Sequence, residues 1–390
     1  MSFKQAPHDL LMVPGFIEFS DEVLWANAHP AVGLMSDEFV SAFGEVLDGL
    51  RRVMYASKDS QPVVLSGSGN MGWDLATLNV LEPGDNVLVL QTGHFSDLWE
   101  ESLLPYGIKV TKLTAPVGQR PSIEEIKEAL KQKKYRAITI TQVDTSTGVL
   151  SDVKAISAAT HEVSPETLVF VDGVCSVGAE ELRVDDWGID FVLTAPQQGL
   201  GCPPGVSIIL LGPRALKACE ERKAPVESYF FSLKRWIPVM RSFEGGKLAY
   251  FATPPTNLIF AMQVSLREML NGPVSLEERF EKTKQASSKV KAFVAEMGMQ
   301  QLVSEELLRT NGAANSMTTV RYPKGITAAD IVPKMAERGV VIGGGIHHTC
   351  KDDYFRIGHI GISVTDESRG DVDKVLSNLR EVLAEAGYKP

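Results

Sequence analysis

The feature that most constrains this chain is an alternation, between residues 36 and 275, of short apolar β-branched runs with amphipathic helical patterns. The runs are VVL at 63–65, NVLVL at 86–90, AITIT at 137–141, TLVFV at 167–171, DFVLT at 190–194 and VSIILL at 206–211. Strands that are apolar on both faces must be covered on both, so six such runs predict a large, mostly parallel sheet between two layers of helices, an α/β architecture. Helix starts between the runs agree with this. Ser36 precedes Asp37 and Glu38 and an apolar face of Phe39, Phe43, Val46, Leu47 and Leu50, which is an N-cap ahead of an amphipathic helix. Ser122 with Glu125 and Ser275 with Glu278 fit the SxxE capping box.

The second box opens a long stretch through Phe280 and Val290 toward Phe293. Beyond it come SMTTVRY at 316–322, a helical pattern at 331–338, VVIGGG, YFRIGHIG and a final helix at 371–383, a smaller α+β unit. A chain of 390 residues is itself suited to two domains. We therefore expect an N-terminal segment at 1–20, a large α/β domain at 21–268 and a small C-terminal α+β domain at 269–390. SRG at 368–370 reads as a loop, and neither an internal repeat nor a low-complexity tract is visible.

A formal net charge of −10 disfavours nucleic acid as a partner, because phosphate-backbone binding relies on clustered lysine and arginine. No apolar run approaches the length of a membrane span. Cys175, Cys202, Cys219 and Cys350 are scattered without metal-ligand or disulfide spacing, which suits a reducing compartment. The opening MSFKQAPHDL and the closing GYKP carry no recognisable address, so a cytoplasmic location is the expectation.

Two motifs bear on chemistry. LSGSGNMGWD at 65–74 reads as strand, glycine-rich turn and helix, a combination that can cradle a phosphate with exposed N–H groups or serve packing alone. In LVFVDGVCS, Asp172 closes a buried strand, where ligands of open α/β sheets bind. A buried carboxylate needs a partner, either structural or a protonated pyridine nitrogen of a cofactor.

The order GSG, DTSTGVL at 144–150, VDGVCS, TAPQQGLGCPPG at 194–205, AYFATPP at 249–255 and FRIGHIG resembles the alanine–glyoxylate aminotransferase group of fold-type I pyridoxal phosphate enzymes, its fungal members most of all. The resemblance runs from PGF at 14–16 to the last helix. It implies that Ser68, Gly69, Asn70 and Gln197 hold the cofactor phosphate, Phe95 stacks on the ring, Val174 packs its other face, Thr145 lies by the ring oxygen and Asp172 pairs with the ring nitrogen. It also implies a homodimer, with Tyr250 and Thr253 of one subunit completing the phosphate site of the other. Arg356 matches the arginine that grips the substrate carboxylate, a task suited to the guanidinium fork. Phe16 and Leu34 depart from the family's pattern and are expected near the substrate entrance. His347 and His348 are pocket or, more readily, loop residues.

The main departure is Gln198. The resemblance places there the lysine that anchors pyridoxal phosphate as an internal Schiff base and shuttles the substrate proton. A glutamine amide is neither nucleophilic nor basic near neutral pH. The cup is then expected to take the cofactor without an internal bond, as the aldehyde, as pyridoxamine phosphate or as an imine with an amino acid. Lys223, Lys234 and Lys247 come nearest in sequence, but none sits in a motif that aims it at the ring. Two origins fit the glutamine, a replacement that traps an intermediate or natural loss of the lysine. Three functions stay open: aminotransfer from alanine or a similar small amino acid to glyoxylate with impaired or altered activity, a lysine-independent reaction of a small amino or keto acid that need not use the cofactor, and non-catalytic binding.

Overall fold

A computed structural model describes residues 3–390, so Met1 and Ser2 of the expected N-terminal segment lie outside the described residues. Its centre is a seven-stranded sheet of β1 (Gln61–Ser66), β2 (Asn86–Gln91), β3 (Lys109–Thr114), β4 (Ala137–Thr141), β5 (Leu168–Asp172), β6 (Phe191–Thr194) and β7 (Val206–Leu211), in the spatial order β1-β7-β6-β5-β4-β2-β3. The six expected runs are all strands. The seventh, KVTKLT, is a half-exposed edge strand paired in parallel with β2. Its lysines and threonines leave no apolar run, and such residues are what a solvent-facing edge favours.

β7 is the exception to the parallel pattern, running antiparallel to both β1 and β6. Residues 195–205, which connect β6 to β7, contain no helix. Without a crossover element the chain can only turn back beside the strand it has just left. The remaining strands share one direction, so the segments after β1, β2, β4, β5 and β6 all leave from the same edge of the sheet. Every motif quoted above from the large domain, apart from AYFATPP, lies in one of those segments.

The long helix Asp37–Val53 of the large domain starts where Ser36 Oγ accepts from Phe39 N at 3.2 Å, and it buries Phe39, Phe43, Val46, Leu47 and Leu50. Both capping boxes form, at Ser122 with Glu125 and at Ser275 with Glu278. A helix over Thr256–Asn271 runs straight through the expected border at 268/269, and the chain breaks only at residues 272–275. The next helix, Leu276–Glu296, belongs to both cores: Leu276 and Phe280 join the large apolar cluster, whereas Ala286, Val290 and Phe293 join the smaller one.

The smaller unit holds a three-stranded antiparallel sheet with Tyr354–Gly358 at its centre, flanked by Met317–Arg321 and Gly343–Gly344. Helices Ala328–Glu337 and Asp371–Glu385 cover it. Residues 367–369 form a single 3-10 turn rather than an open loop. The N-terminal segment is bound into this unit, since Leu10–Leu11 pairs in parallel with Val340–Val341 and Gly358 N donates to Met12 O at 2.7 Å. No helix among the described residues is long and apolar enough to cross a membrane.

Candidate active site at the carboxyl edge of the sheet

The glycine-rich turn after β1 leads into a helix over Met71–Val80. Ser68, Gly69 and Asn70 wind into its first turn through Met71 N to Ser68 O at 3.1 Å, Gly72 N to Gly69 O at 2.8 Å and Trp73 N to Asn70 O at 3.0 Å. Ser68 and Asn70 are exposed, and Asn70 spends no side-chain bond on capping the helix. Gly69 is required by space: a Cβ there would lie 2.8 Å from Val174 Cγ2 and 3.5 Å from Ala195 Cβ. The ends of β1, β5 and β6 therefore converge on Gly69.

Asp172 is 5% exposed and accepts from Val174 N at 3.0 Å and from Trp73 Nε1 at 3.1 Å. Both donors are neutral. Burial raises its carboxyl to about 6, and those two hydrogen bonds only partly oppose the rise. Trp73 escaped the sequence reading, because a tryptophan on an apolar helix reads as core.

The DTST stretch turns out to be a hub. Asp144, fully buried, accepts from Ser146 N at 3.0 Å, Ser146 Oγ at 2.6 Å and Ser96 N at 3.3 Å, while Ser146 Oγ accepts from His94 N at 2.8 Å. Asp144 and Ser146 thus satisfy the open N–H groups of the helix His94–Leu103, which carries the partly buried Phe95. Thr147 Oγ1 donates to Thr92 O at 2.8 Å, and Thr319 Oγ1 of the small unit donates to Thr147 O at 2.9 Å. Tyr354 donates to the Ser146 carbonyl. Arg356 completes the set, donating from Nε to Gly344 O at 2.7 Å and from Nη1 to Thr145 O at 3.2 Å. Neither partner is a carboxylate, and burial pulls the guanidinium down from its ordinary value.

Gln198 lies in the turn after β6, 6% exposed, and its amide oxygen has no hydrogen-bond partner. Its backbone carbonyl accepts from Gly201 N at 2.8 Å, which fixes the turn, and Gln197 beside it is half-buried. Lys223, Lys234 and Lys247 are all exposed. A different lysine is drawn inside: Lys291 donates to Ala314 O at 2.9 Å, and burial lowers it to about 8, partly offset by the charge of Glu180. Glu180 accepts from Asn315 N at 2.6 Å, Asn315 Nδ2 at 2.8 Å and Ser316 N at 3.1 Å, tying the two units together.

Four expected residues lie further out. Tyr250, 62% exposed, and Thr253 line a cavity with Leu34, Ser66 and Trp236 rather than with the phosphate turn of their own chain. Leu34 is thereby next to Tyr250, not beside Arg356. Phe16, 53% exposed, belongs to the segment that packs on Gly358 at the end of the Arg356 strand. His347 and His348 are loop residues with stacked rings 4.8 Å apart, facing Asp97.

A family model, Aminotransferase class-V, matches residues 18–363. The chain belongs to the class-V aminotransferase family. It is 41% identical over 368 residues to alanine–glyoxylate aminotransferase 1 of Saccharomyces cerevisiae, covering 92% of this chain and 94% of that protein. It is 31% identical to the L-aspartate–glyoxylate aminotransferase of Paracoccus denitrificans, over 91% of this chain and 87% of that one. Among solved structures it resembles an alanine–glyoxylate aminotransferase of Nostoc sp., with a TM-score of 0.87 and 25% identity over 97% of this chain and 96% of the other. The architecture is accordingly that of fold-type I pyridoxal phosphate transferases.

Proposed function

We propose that this chain is an aminotransferase of the alanine–glyoxylate type, moving an amino group between small amino and keto acids, in which Gln198 stands where the family keeps its lysine. Conventional turnover is therefore impaired, and the cofactor is held without a covalent bond to the protein. The observation that carries this reading is the buried Gln198 side chain, whose amide oxygen is unpartnered at the carboxyl edge where the motifs meet. An unsatisfied buried acceptor costs about 1–3 kcal/mol, a cost a bound donor removes.

The residues present fit pyridoxal phosphate or pyridoxamine phosphate. Asp172 is a buried carboxylate served only by neutral donors, and a protonated pyridine nitrogen supplies the missing charge. Ser68, Gly69 and Asn70, with Gln197, would hold the phosphate at a helix start. Phe95 and Val174 would enclose the ring, with Thr145 near its oxygen. When bound, the cofactor supplies an electron sink for charge developing at the substrate α-carbon. Arg356 would bind the substrate carboxylate through the fork, its direction set by the Gly344 and Thr145 carbonyls. Gln198 can donate and accept hydrogen bonds but cannot take up the substrate proton, and loss of a positioned acid–base group costs about 10²–10⁴ in rate.

Exposed Tyr229, Phe230 and Tyr250 support a homodimer in which Tyr250 and Thr253 reach the partner's phosphate site. Four free cysteines are consistent with a cytoplasmic location.

The test pairs this protein with Gln198→Lys. Each is incubated with pyridoxal phosphate, scanned in the visible, treated with borohydride and weighed by mass spectrometry, then assayed with alanine and glyoxylate. We expect covalent attachment and pyruvate formation in the lysine variant only. A variant that attaches the cofactor but makes no pyruvate overturns the alanine–glyoxylate assignment, and one that does not take up the cofactor overturns the whole reading.

A further inference from the structure

Outside the cup, the arrangement most in need of explanation is the group Asp97, His347 and His348. One ligand atom from each lies within 4.8 Å of the other two, and His348 Nδ1 is 3.9 Å from Asp97 Oδ2. The residues come from different units: Asp97 from the helix His94–Leu103, the histidines from the loop between Gly343–Gly344 and Tyr354–Gly358. We propose that they bind one divalent transition-metal ion of the zinc or cobalt type, which clasps the small unit to the large one at the rim of the cleft.

The geometry allows it once the exposed His348 ring swings out of its stack on His347, so that a nitrogen of each points at one ion. A tetrahedral ion with bonds of about 2.0–2.1 Å sets its ligand atoms about 3.3 Å apart. The present spacing must contract by roughly 1.5 Å at most, within reach of rotating His348, which is 64% exposed. His347 is already oriented. The hydroxyl of Tyr354 accepts from Ile346 N and His347 N, each at 3.1 Å, which pins the backbone. His347 Nδ1 lies 2.9 Å from Thr349 Oγ1, leaving Nε2 for the ion. With the ion bound, Nδ1 carries the proton and donates to Thr349 Oγ1, the outer-shell contact typical of metal-bound histidine. The weaker contact from Thr349 N at 3.3 Å is then given up.

Two imidazoles and one carboxylate favour zinc, cobalt or nickel over magnesium or calcium, which prefer oxygen. Three protein ligands leave at least one position for water. The clasp would also act on substrate binding at one remove. The loop that bears His347 begins at Gly344, whose carbonyl holds Arg356 Nε. Asp97 follows Phe95 by two residues on the same helix.

The full-length protein, stripped with a chelator and dialysed, is titrated with Co²⁺ while its visible d–d bands are followed, and with Zn²⁺ by calorimetry and thermal melting. One equivalent per chain is expected, with the intense bands of a tetrahedral site and a rise in melting temperature. His348→Ala and Asp97→Asn should each weaken binding by more than about tenfold. Cys350→Ser, a nearby thiol outside the cluster, should leave it unchanged. Both histidine and aspartate substitutions fall on partly or largely exposed side chains, so their folding is checked directly by circular dichroism. Binding that is absent, non-stoichiometric, or retained by the Asp97→Asn/His348→Ala double variant overturns the proposal.

Discussion

The carboxylate of Asp172 offers a direct measure of whether the cleft is built around a missing cation. In the cofactor-free protein the group has a raised folded value of about 6, against an ordinary 3.8. A raised acid means that the folded state keeps a proton which the unfolded state has lost. Stability therefore falls as pH rises from the unfolded value through the folded one, and above both it stays low. Two units correspond to about 3 kcal/mol, of which about 2 kcal/mol falls between roughly pH 4.5 and 8. Asp172→Asn removes the titration. It also replaces one acceptor with an NH₂ facing Val174 N or Trp73 Nε1, a fixed cost of about 1–3 kcal/mol at every pH. The informative quantity is thus the slope. In urea unfolding of cofactor-free protein, the stability of Asp172→Asn relative to the parent should improve by about 2 kcal/mol from pH 4.5 to 8. Pyridoxamine phosphate should abolish that difference in slope by binding the parent, while binding Asp172→Asn tenfold or more weakly, the worth of a charge-assisted bond. A relative stability that is flat with pH would refute the reasoning.

Other perturbations test the remaining parts. In a Gln198→Lys background, Arg356→Lys should raise KM for glyoxylate roughly tenfold or more, because a point charge cannot reproduce the fork held by Gly344 and Thr145. Gly69→Ala forces a methyl to within 2.8 Å of Val174 Cγ2 and should cost about 1–3 kcal/mol in unfolding, together with reduced affinity for pyridoxamine phosphate in a fluorescence titration. Glu180→Ala strands three N–H groups of Asn315 and Ser316 and leaves Lys291 without its nearby charge, so it should lower stability by about 3 kcal/mol or more. Equal melting temperatures for Glu180→Ala and the parent would show that the two units do not depend on this contact.

What could be read from the sequence follows from which interactions are local. Six strands were legible because β-branched runs buried on both faces leave an unbroken apolar signature. The lysine-dotted edge strand leaves none, and the antiparallel turn of β7 is invisible to a pattern that carries no direction. The expected border at 268/269 falls inside the helix Thr256–Asn271, with Met269 buried against the large core, because a run of side chains does not mark where a helix ends. Gly69, Asp172, Gln198 and Arg356 each stand in a motif on a short stretch of chain, so the sequence alone can nominate them. It cannot nominate Trp73, whose hydrogen bond spans 99 residues, or the Glu180 cluster, formed with Asn315 and Ser316. The role of DTST also had to wait for the structure. Its residues act chiefly through backbone carbonyls and caps toward 92–96, 319, 354 and 356, which no residue type announces.

Three buried carboxylates around the cleft show how a structural group differs from one waiting for a ligand. Burial pushes Asp144, Asp172 and Glu180 all upward. Asp144 answers with three donors, two from Ser146 in its own turn and one, Ser96 N, at a helix start, and Glu180 with three donors from the other unit and a lysine charge nearby. Each of those sets completes a contact that the fold needs in any case. Asp172 has two donors, one of them from its own turn, and lies where the strand ends meet Gly69. Both donors are neutral, and no cation among the described residues answers its charge. A carboxyl buried and raised in this way, with no countercharge beside it, is the kind of group that marks a candidate ligand site. The same reasoning applies to the unpartnered Gln198 amide. Both costs vanish together if one ligand brings a cation to Asp172 and a hydrogen-bond donor to Gln198, a pairing that the ring nitrogen and the amine of pyridoxamine phosphate supply in one molecule.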